Sequence, residues 1–310
     1  MADAGEAVLT EAVAAAQAAL GPRLLAAYAL GSLAHGGFSP LVSDVDLALV
    51  LTDPSTSADP ETLRLLAESV KAGGSPLHQR LSVFWGTPAT LRGETDGGRF
   101  PPLDRLDLLE NGRLLAGADV RSGLPAPTRD ELMVAGAEFA LDFLGPGHAT
   151  PAPTPTGPDV PSAPAPTGPG VASAPAAAGL GSLAAAGETV MEEIRHPERL
   201  LAEGPRHVTK VVLFPVRFLY TAATGCVGTN DAAVAHHLAQ GGAPGHDLVA
   251  AALRWRTAPP GDNRSAADLL RRELVPLYVH YLDDHIARLA ALGKADLATA
   301  FGRWKDRLLA

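Results

Sequence analysis

The chain has 310 residues, a formal net charge of −9 at pH 7 and a single cysteine, Cys226. The length allows two domains, and the acidic balance argues against nucleic acid as the main partner, because no stripe of Lys and Arg is present to neutralise a phosphate backbone. No run of 18 apolar residues and no secretory signal is found, so we expect no membrane partner. The lone cysteine excludes an internal disulfide and, with the missing signal, favours a cytoplasmic location. The richness in Ala, Gly and Pro is typical of GC-rich bacterial genomes.

The first part of the chain alternates helical and strand patterns. Short apolar runs predict four strands, at Leu24–Leu30, Val45–Leu51, Leu81–Trp85 and Arg113–Ala116. Helical spacing predicts helices at 6–20, Glu61–Lys71 and Asp104–Asn111. Thr128 and Glu131 have the spacing of a capping box, which predicts a further helix that runs to about Leu144.

The composition changes sharply after this helix. Between Pro146 and Pro175 ten of thirty residues are proline, which predicts a disordered linker over 146–179; a docking peptide for an aromatic groove is the alternative. From residue 180 onward the pattern is helical and predicts a bundle. The fold class is therefore α+β, with a mixed sheet and flanking helices in a domain over 1–145 and an all-α bundle over 180–310. The five C-terminal helices are predicted at His207–Thr224, Asn230–Gln240, His246–Thr257, Ser265–Leu292 and Asp296–Leu309.

One short motif indicates chemistry. A Gly31-Ser32 turn ends the first predicted strand, and Ser43-Asp44-Val45-Asp46 opens the second. Side chains at i and i+2 of a strand share a face, so Asp44 and Asp46 are expected to direct two carboxylates at one point. A hard divalent cation such as Mg²⁺ would justify them, with phosphate oxygens completing its ligands. The backbone N–H groups and hydroxyl of Gly31-Ser32 suit a phosphate.

This arrangement resembles the signature of the nucleotidyltransferase superfamily typified by DNA polymerase β. In that superfamily a Gly-Ser turn is followed by Asp-x-Asp on a strand, and the serine before the first aspartate, here Ser43, also fits. The resemblance implies a nucleotidyltransferase domain in the first 145 residues. It further implies that Asp44 and Asp46 are catalytic and bind two Mg²⁺ ions, while Gly31, Ser32 and Ser43 contact the nucleotide.

The second half of the chain resembles the helical domain of streptomycin/spectinomycin (aminoglycoside) adenylyltransferases. These enzymes have an apolar run, then Arg-x-x-Tyr-x-x-x-Thr-Gly, which Arg217, Tyr220, Thr224 and Gly225 match. The resemblance implies that Arg217 contacts a phosphate of the nucleotide; an arginine paired with a local carboxylate is the alternative. Where that family has a lysine this chain has Asn230, so one cationic phosphate contact is expected to be missing.

A third carboxylate is the main departure from the family pattern. The superfamily has an acidic residue on a neighbouring strand, and strand alternation places Ser82 at that position. The carboxylates that follow it in the sequence are Glu94, Asp96, Asp104 and Asp107. Asp104 and Asp107 lie three residues apart and point in one direction on a helix. Their simpler interpretation, which we adopt as the expectation, is a helix N-cap and a solvated helix face.

The resemblance thus implies a Mg²⁺-dependent enzyme that transfers AMP from ATP, or a nucleotide from another NTP, to a hydroxyl of a small molecule. An aminoglycoside is one candidate acceptor. The alternative is a catalytically degenerate nucleotide-binding protein, a sensor or an antitoxin-like protein, which Ser82 and Asn230 both favour. The discriminating feature is whether any carboxylate lies near Asp44 and Asp46 on the adjacent strand.

Overall fold

The computed structural model describes residues 3–145 and 190–310, so the predicted linker over 146–179 lies outside the described residues. A four-stranded sheet in the order β3-β2-β1-β4 forms the centre of the first part. Strand β1 runs antiparallel to both β2 and β4, whereas β2 and β3 are parallel. The predicted mixed sheet is therefore confirmed. Its strands are β1 (Leu24–Leu30), β2 (Val45–Leu51), β3 (Leu81–Gly86) and β4 (Arg113–Gly117).

Five helices accompany the sheet: α1 (Asp3–Leu20), α2 (Gly31–His35), α3 (Asp59–Lys71), α4 (Pro88–Leu91) and α5 (Pro102–Asn111). The odd-numbered residues of β2, from Val45 to Leu51, pack against α1 and α3 on one face of the sheet. The even-numbered residues Ala48 and Val50 pack on the opposite face, where α5 contributes Leu108. Asp46 belongs to this second face, because side chains alternate along a strand.

The remaining helices form one apolar core that is separate from both faces of the sheet. They are α6 (Arg129–Phe143), α7 (190–195), α8 (Pro197–Ala202), α9 (Pro205–Thr224), α10 (Asn230–Ala239), α11 (His246–Trp255), α12 (Asn263–Ala291) and α13 (Ala295–Leu309). The α+β class with a helical C-terminal part is therefore confirmed. Among the described residues, no helix is both long and apolar enough to cross a bilayer.

Helix α6 belongs to the helical core although it precedes residue 145. Its buried residues Met133, Ala137 and Leu141 contact the same apolar cluster as Leu213 of α9 and Trp304 of α13. The division between the apolar cores therefore falls before α6. The domain bounds 1–145 and 180–310 stay a prediction.

The predicted capping box at the start of α6 is present. The Thr128 hydroxyl accepts a hydrogen bond from the Glu131 amide at 3.2 Å, and the Glu131 carboxylate accepts one from the Thr128 amide at 2.7 Å. Thr128→Ala is expected to lower the free energy of unfolding by about 1 kcal/mol, because an amide of the first turn loses its partner. Denaturant titration measures this, with Thr10→Ala in the exposed interior of α1 as the control, for which a change within about 0.5 kcal/mol is expected. Equal changes in both variants would contradict the role of the cap.

Candidate active site

A cavity of about 450 Å³ lies where β2 and β3 face α5, α6 and α9. This volume falls in the range of roughly 300–1,000 Å³ that is typical of small-molecule sites. Each site residue named from the sequence lines this cavity, although they come from both halves of the chain. They are Gly31, Ser32, Ser43, Asp44, Asp46 and Arg217.

The sheet register fixes the position of Asp46. Asp46 is paired with Leu30 of β1 on one side and with Ser82 of the parallel strand β3 on the other. Ser82 therefore lies beside Asp46 on the same face of the sheet, and it also lines the cavity. The predicted alignment of Ser82 with this aspartate is confirmed.

The carboxylate of Asp46 is the least compensated charge of the cavity. Burial, followed by the negative charges of Asp44, Asp104 and Asp107, raises the pKa of Asp46 to about 8. No hydrogen bond or ion pair joins its carboxylate to another described residue. A cation bound at this carboxylate would offset the free-energy cost of burying its charge and the repulsion by the neighbouring aspartates.

Asp44 is held by two cations from the helical part. Arg206 Nη2 lies 2.6 Å from Asp44 Oδ1, and Lys210 Nζ lies 2.5 Å from Asp44 Oδ2. Burial opposes ionisation of Asp44, but Lys210 and then Arg206 outweigh it and keep the pKa of Asp44 below its ordinary value. Helix α9 of the helical part thus contacts the residue that immediately precedes β2.

Neither Lys210 nor Arg206 was predicted as a site residue from the sequence. Lys210 precedes Arg217 by two turns of α9, and residues at that spacing lie on the same face of a helix. This spacing is the signal that would have placed Lys210 beside the predicted phosphate-binding arginine. Lys210 and Asn230 both line the cavity, so a cation that was not predicted lies in the same cavity as the position where the family pattern has a lysine.

The expectation for Asp104 and Asp107, an N-cap and a solvated helix face, is wrong. Pro101 is the N-cap of α5, and both aspartates line the cavity. Asp107 is only 8% exposed and accepts hydrogen bonds from the Gly31 amide at 2.6 Å and from the Asn111 amide group at 2.8 Å. Helix α5 packs with Leu108 under the sheet, and this packing turns its polar side toward the cavity and away from solvent.

Asp104 is the second carboxylate whose ionisation is opposed. Burial and then the charge of Asp107 raise its pKa to about 7, against smaller opposite effects of Arg99 and Arg217. Glu94 and Asp96, the other carboxylates considered, are exposed, and neither lines the cavity. Glu94 instead pairs with Arg92 at 2.6 Å. Of the four candidates, only the two on α5 line the cavity together with Asp44 and Asp46.

Gly31 lets the backbone pass beside Asp46. It adopts a φ of +59°, a left-handed conformation that favours glycine, and a Cβ atom built on it would overlap the Asp46 carboxylate. The turn thus brings the Gly31 amide to Asp107 and leaves room for Asp46. Ser32, the next residue, has a hydroxyl with no hydrogen bond to another described residue.

Gly31→Ala is expected to disturb Asp46 as well as the backbone, whereas Gly36→Ala is expected to disturb only the backbone. Gly36 also has a positive φ, +90°, but nothing lies within 4 Å of a Cβ built there. Both variants should lose about 1–2 kcal/mol of stability for the left-handed conformation. Only Gly31→Ala should also weaken Mg·ATP binding, measured by calorimetry at a temperature where both variants are folded. Equal affinities in the two variants would contradict the role assigned to Gly31.

The other predicted nucleotide contacts differ in their freedom to bind a ligand. The Ser43 hydroxyl is buried and accepts hydrogen bonds from the Ser39 amide at 3.0 Å and from Arg256 at 3.4 Å, so it holds the loop before β2. Arg217 donates to the Gly228 carbonyl, lies 5.6 Å above the Phe214 ring and forms no salt bridge with a described carboxylate. The alternative of a local ion pair for Arg217 is therefore not what the structure shows.

Arg256 is a further residue of the cavity that no sequence pattern indicated. It follows Trp255 at the end of α11, is 7% exposed and donates to the Gly37 carbonyl at 2.7 Å. Arg256 also lines the cavity, as do Thr229 and Asn230 at the start of α10. The polar side of the cavity therefore combines Lys210, Arg217 and Arg256 with the amide and hydroxyl groups of this turn.

A divalent cation fits Asp46, whose carboxylate is unpaired and is close enough to Asp44 to be repelled by it. In the part of the chain that the structure describes, no three His, Cys, Asp or Glu side chains are grouped as a ready metal site. Asp44 and Asp107 are engaged by protein donors, whereas Asp46 and Asp104 keep raised pKa values. Mg²⁺ is typically bound by one or two carboxylates together with substrate phosphates, which matches this partial set of ligands.

Comparison with known proteins gives matches among solved structures and none by sequence. No protein-family model matches the chain, and the search of curated proteins found no match. Among solved structures, the chain is similar to the spectinomycin adenyltransferase AAD(9) from Enterococcus faecialis, solved with ATP and spectinomycin. The likeness has a TM-score of 0.46 at 12% identity and covers 87% of this chain and 98% of that chain. At these values the likeness supports no inference about function. The proposal for the function therefore depends on the residues of the cavity.

Proposed function

We propose that the protein is a Mg²⁺-dependent nucleotidyltransferase that transfers AMP from ATP to a hydroxyl of a small molecule. The observation that supports this most strongly is the composition of one cavity. Four aspartates at β2 and α5 line one cavity of about 450 Å³ together with the cations Lys210, Arg217 and Arg256. A magnesium–triphosphate complex needs both signs of charge, because carboxylates bind the metal and cations bind the phosphate oxygens.

The phosphate side of the reaction is assigned to five groups. The Ser32 hydroxyl and the turn at Gly31 face the β- and γ-phosphates, while Lys210, Arg217 and Arg256 neutralise the charge of the triphosphate. Arg217 is oriented by the Gly228 carbonyl before any ligand binds. Such preorganised cations stabilise charge that develops on the leaving pyrophosphate, which is commonly the largest contribution to catalysis.

The metal side is assigned to Asp44 and Asp46. Mg²⁺ held there would supply positive charge that neutralises the transferred group, with two ions as the family resemblance implies. Asp46 is available without rearrangement, because no described residue pairs with it. Asp44 becomes available to the metal when Lys210 and Arg206 leave its carboxylate and bind phosphate oxygens instead.

Asp104 is assigned the role expected of the third carboxylate. The hydroxyl oxygen of the acceptor attacks the α-phosphorus, the bond from this phosphorus to the bridging oxygen breaks, and pyrophosphate leaves. Asp104 accepts the proton of the acceptor hydroxyl; in the ligand-free protein, burial and the charge of Asp107 raise its pKa and so increase its affinity for a proton. Ser82, which lies beside Asp46 in the sheet, is a poor base and takes no part in this step.

A catalytically degenerate nucleotide-binding protein is the second candidate. The observation that favours it is the pair of salt bridges on Asp44, which occupy one of the two predicted metal ligands. Binding of Mg·ATP is expected under both candidates, and transfer is expected only under the first. Assays of transfer, and not of binding alone, therefore separate them.

Calorimetric titration with α,β-methylene-ATP, which cannot donate AMP, tests the binding step common to both candidates. We expect binding in Mg²⁺ and much weaker binding in EDTA. Lys210→Met should weaken the Mg²⁺-dependent affinity about 10- to 100-fold, because a charged hydrogen bond to phosphate is lost. Lys305→Met, which removes a cation paired with Asp283 on the helical part, is the matched control and should leave affinity unchanged. Equal effects of the two substitutions would contradict the phosphate site.

A further inference from the structure

One side of the cavity is apolar and has no role in the reaction described above. Four phenylalanines, Phe139 and Phe143 of α6 and Phe214 and Phe218 of α9, line it; we call them the phenylalanine wall. The rings of Phe139 and Phe143 are stacked with centroids 5.5 Å apart, and Phe143 lies 5.5 Å from Phe214. Phe139 is 45% exposed, which is unusual for a large apolar side chain in this protein.

The phenylalanine wall borders the groups that act on the acceptor. Arg217 lies between Phe214 and Phe218 in sequence, and its guanidinium is 5.6 Å above the Phe214 ring. Leu103, which also lines the cavity, immediately precedes Asp104 on α5. A molecule placed against these rings would therefore have one end beside the proposed base and the transferred phosphate.

The charges of the cavity leave little room for a polycation. Among the described residues that line it, four aspartates face an equal number of Lys and Arg side chains, namely Arg99, Lys210, Arg217 and Arg256. Asp44 and Asp107 already bind protein donors, and Asp46 and Asp104 have assigned roles. No further acidic side chain of the described chain lines the cavity to hold ammonium groups.

The nucleotide base is better suited to the polar groups of the cavity than to the phenylalanine wall. The edge of adenine has hydrogen-bond donors and acceptors, which lose free energy if they face only hydrocarbon. The wall offers aromatic carbon, whereas Thr229 and Asn230 offer hydroxyl and amide groups beside Arg256. The wall is thus left for the second substrate.

We infer that the phenylalanine wall is the acceptor subsite, and that the acceptor is an uncharged molecule with a hydroxyl group on a planar aromatic body. Aromatic rings stack favourably on such a wall, and no carboxylate is needed to hold them. This inference rests on the proposed function, since it names the class of molecule that receives AMP. It disfavours the aminoglycoside acceptor that the sequence resemblance suggested.

The probe for this subsite is 2-naphthol, which is planar, uncharged at neutral pH, fluorescent and hydroxylated. We expect the full-length protein to bind it with a change in fluorescence. Phe139→Ser should weaken binding about 2- to 10-fold, since one aromatic contact is lost. Leu65→Ser, at an α3 residue that is 52% exposed and does not line the cavity, is the matched control and should leave binding unchanged. No binding, or equal effects of the two substitutions, would overturn the inference.

Competition identifies the occupant of the wall. We expect 2-naphthol to bind equally well to protein saturated with Mg²⁺ and α,β-methylene-ATP, and we expect kanamycin, a polycationic aminoglycoside, not to displace it. Competitive displacement by the nucleotide would assign the wall to adenine, and displacement by kanamycin would assign it to a polycation; either result overturns the inference. Calorimetry of the nucleotide alone is the separate readout of the proposed function, which fails if no Mg²⁺-dependent binding is seen.

Discussion

Asp46→Asn is expected to lower nucleotidyl transfer at least about 100-fold without destabilising the folded protein. Substitution of groups that merely support metal ligands commonly reduces affinity or activity about 10- to 100-fold, and Asp46 is proposed as a ligand itself. Asparagine has the same shape and removes the charge that Asp44, Asp104 and Asp107 repel. Substitution of a functional carboxylate typically lowers activity and leaves stability unchanged or increased, whereas substitution of a structural carboxylate lowers both activity and stability.

The raised pKa of Asp46 predicts how the stability of the folded protein changes with pH. The pKa of Asp46 rises from 3.8 to about 8 on folding, so the folded state binds the proton more tightly than the unfolded state. Stability of the metal-free protein should therefore fall as pH rises from about 4 to about 8. Asp46→Asn lacks this titrating group, so its free energy of unfolding should fall less as pH rises. In EDTA, the stability of the variant relative to the wild type should therefore increase between pH 5 and pH 8.

Denaturant titration at the two pH values and an assay of pyrophosphate release measure the two effects. Asp96→Asn, which removes an exposed carboxylate away from the cavity, is the control and should change neither. A variant Asp46→Asn with near-normal transfer would remove Asp46 from the site. A large loss of stability at pH 8 would show that its carboxylate has a structural partner.

Asp104→Asn is expected to reduce transfer by a factor of about 10²–10⁴, the usual contribution of a general base. The affinity for Mg²⁺ and α,β-methylene-ATP should fall much less, because Lys210, Arg217 and Asp46 remain. This division between turnover and binding is what distinguishes a base from a residue that only shapes the cavity.

A second substitution tests whether Asp104 replaces the carboxylate missing from β3. Ser82 lies in register with Asp46, so Ser82→Asp in the Asp104→Asn background would place an acid at the position where the resemblance expects one. We expect part of the lost transfer to return, as measured by pyrophosphate release with an acceptor present. If Asp104→Asn alone leaves transfer unchanged, the base lies elsewhere; if neither wild type nor double variant transfers AMP, the degenerate nucleotide-binding protein is the better interpretation.

Local patterns were enough to predict much of the sheet and part of the cavity. The apolar runs at Leu24–Leu30 and Val45–Leu51 coincide with β1 and β2, and alternation along β3 placed Ser82 beside Asp46. These predictions depend on neighbouring residues within a strand, where the period of two fixes which side chains share a face. The same reasoning placed Asp44 and Asp46 at one cavity.

Long-range packing determined what the sequence analysis missed. Lys210 and Arg206 reach Asp44 only because α9 packs across the end of β2, and no local pattern records that contact. Asp104 was assigned to solvent because helical spacing does not say which face of α5 is covered. The phenylalanine wall likewise forms from two helices that are far apart in the sequence, so its rings could not be grouped beforehand.

The most direct test of the proposed function follows the phosphorus atoms of ATP. The protein is incubated with Mg²⁺, a panel of hydroxylated small molecules that includes 2-naphthol and kanamycin, and ATP labelled at either the α- or the γ-phosphorus. A nucleotidyltransferase is predicted to place the α-label in an AMP-modified acceptor and the γ-label in pyrophosphate. Transfer of the γ-label to an acceptor, or absence of any labelled acceptor while Mg·ATP binds normally, would contradict it.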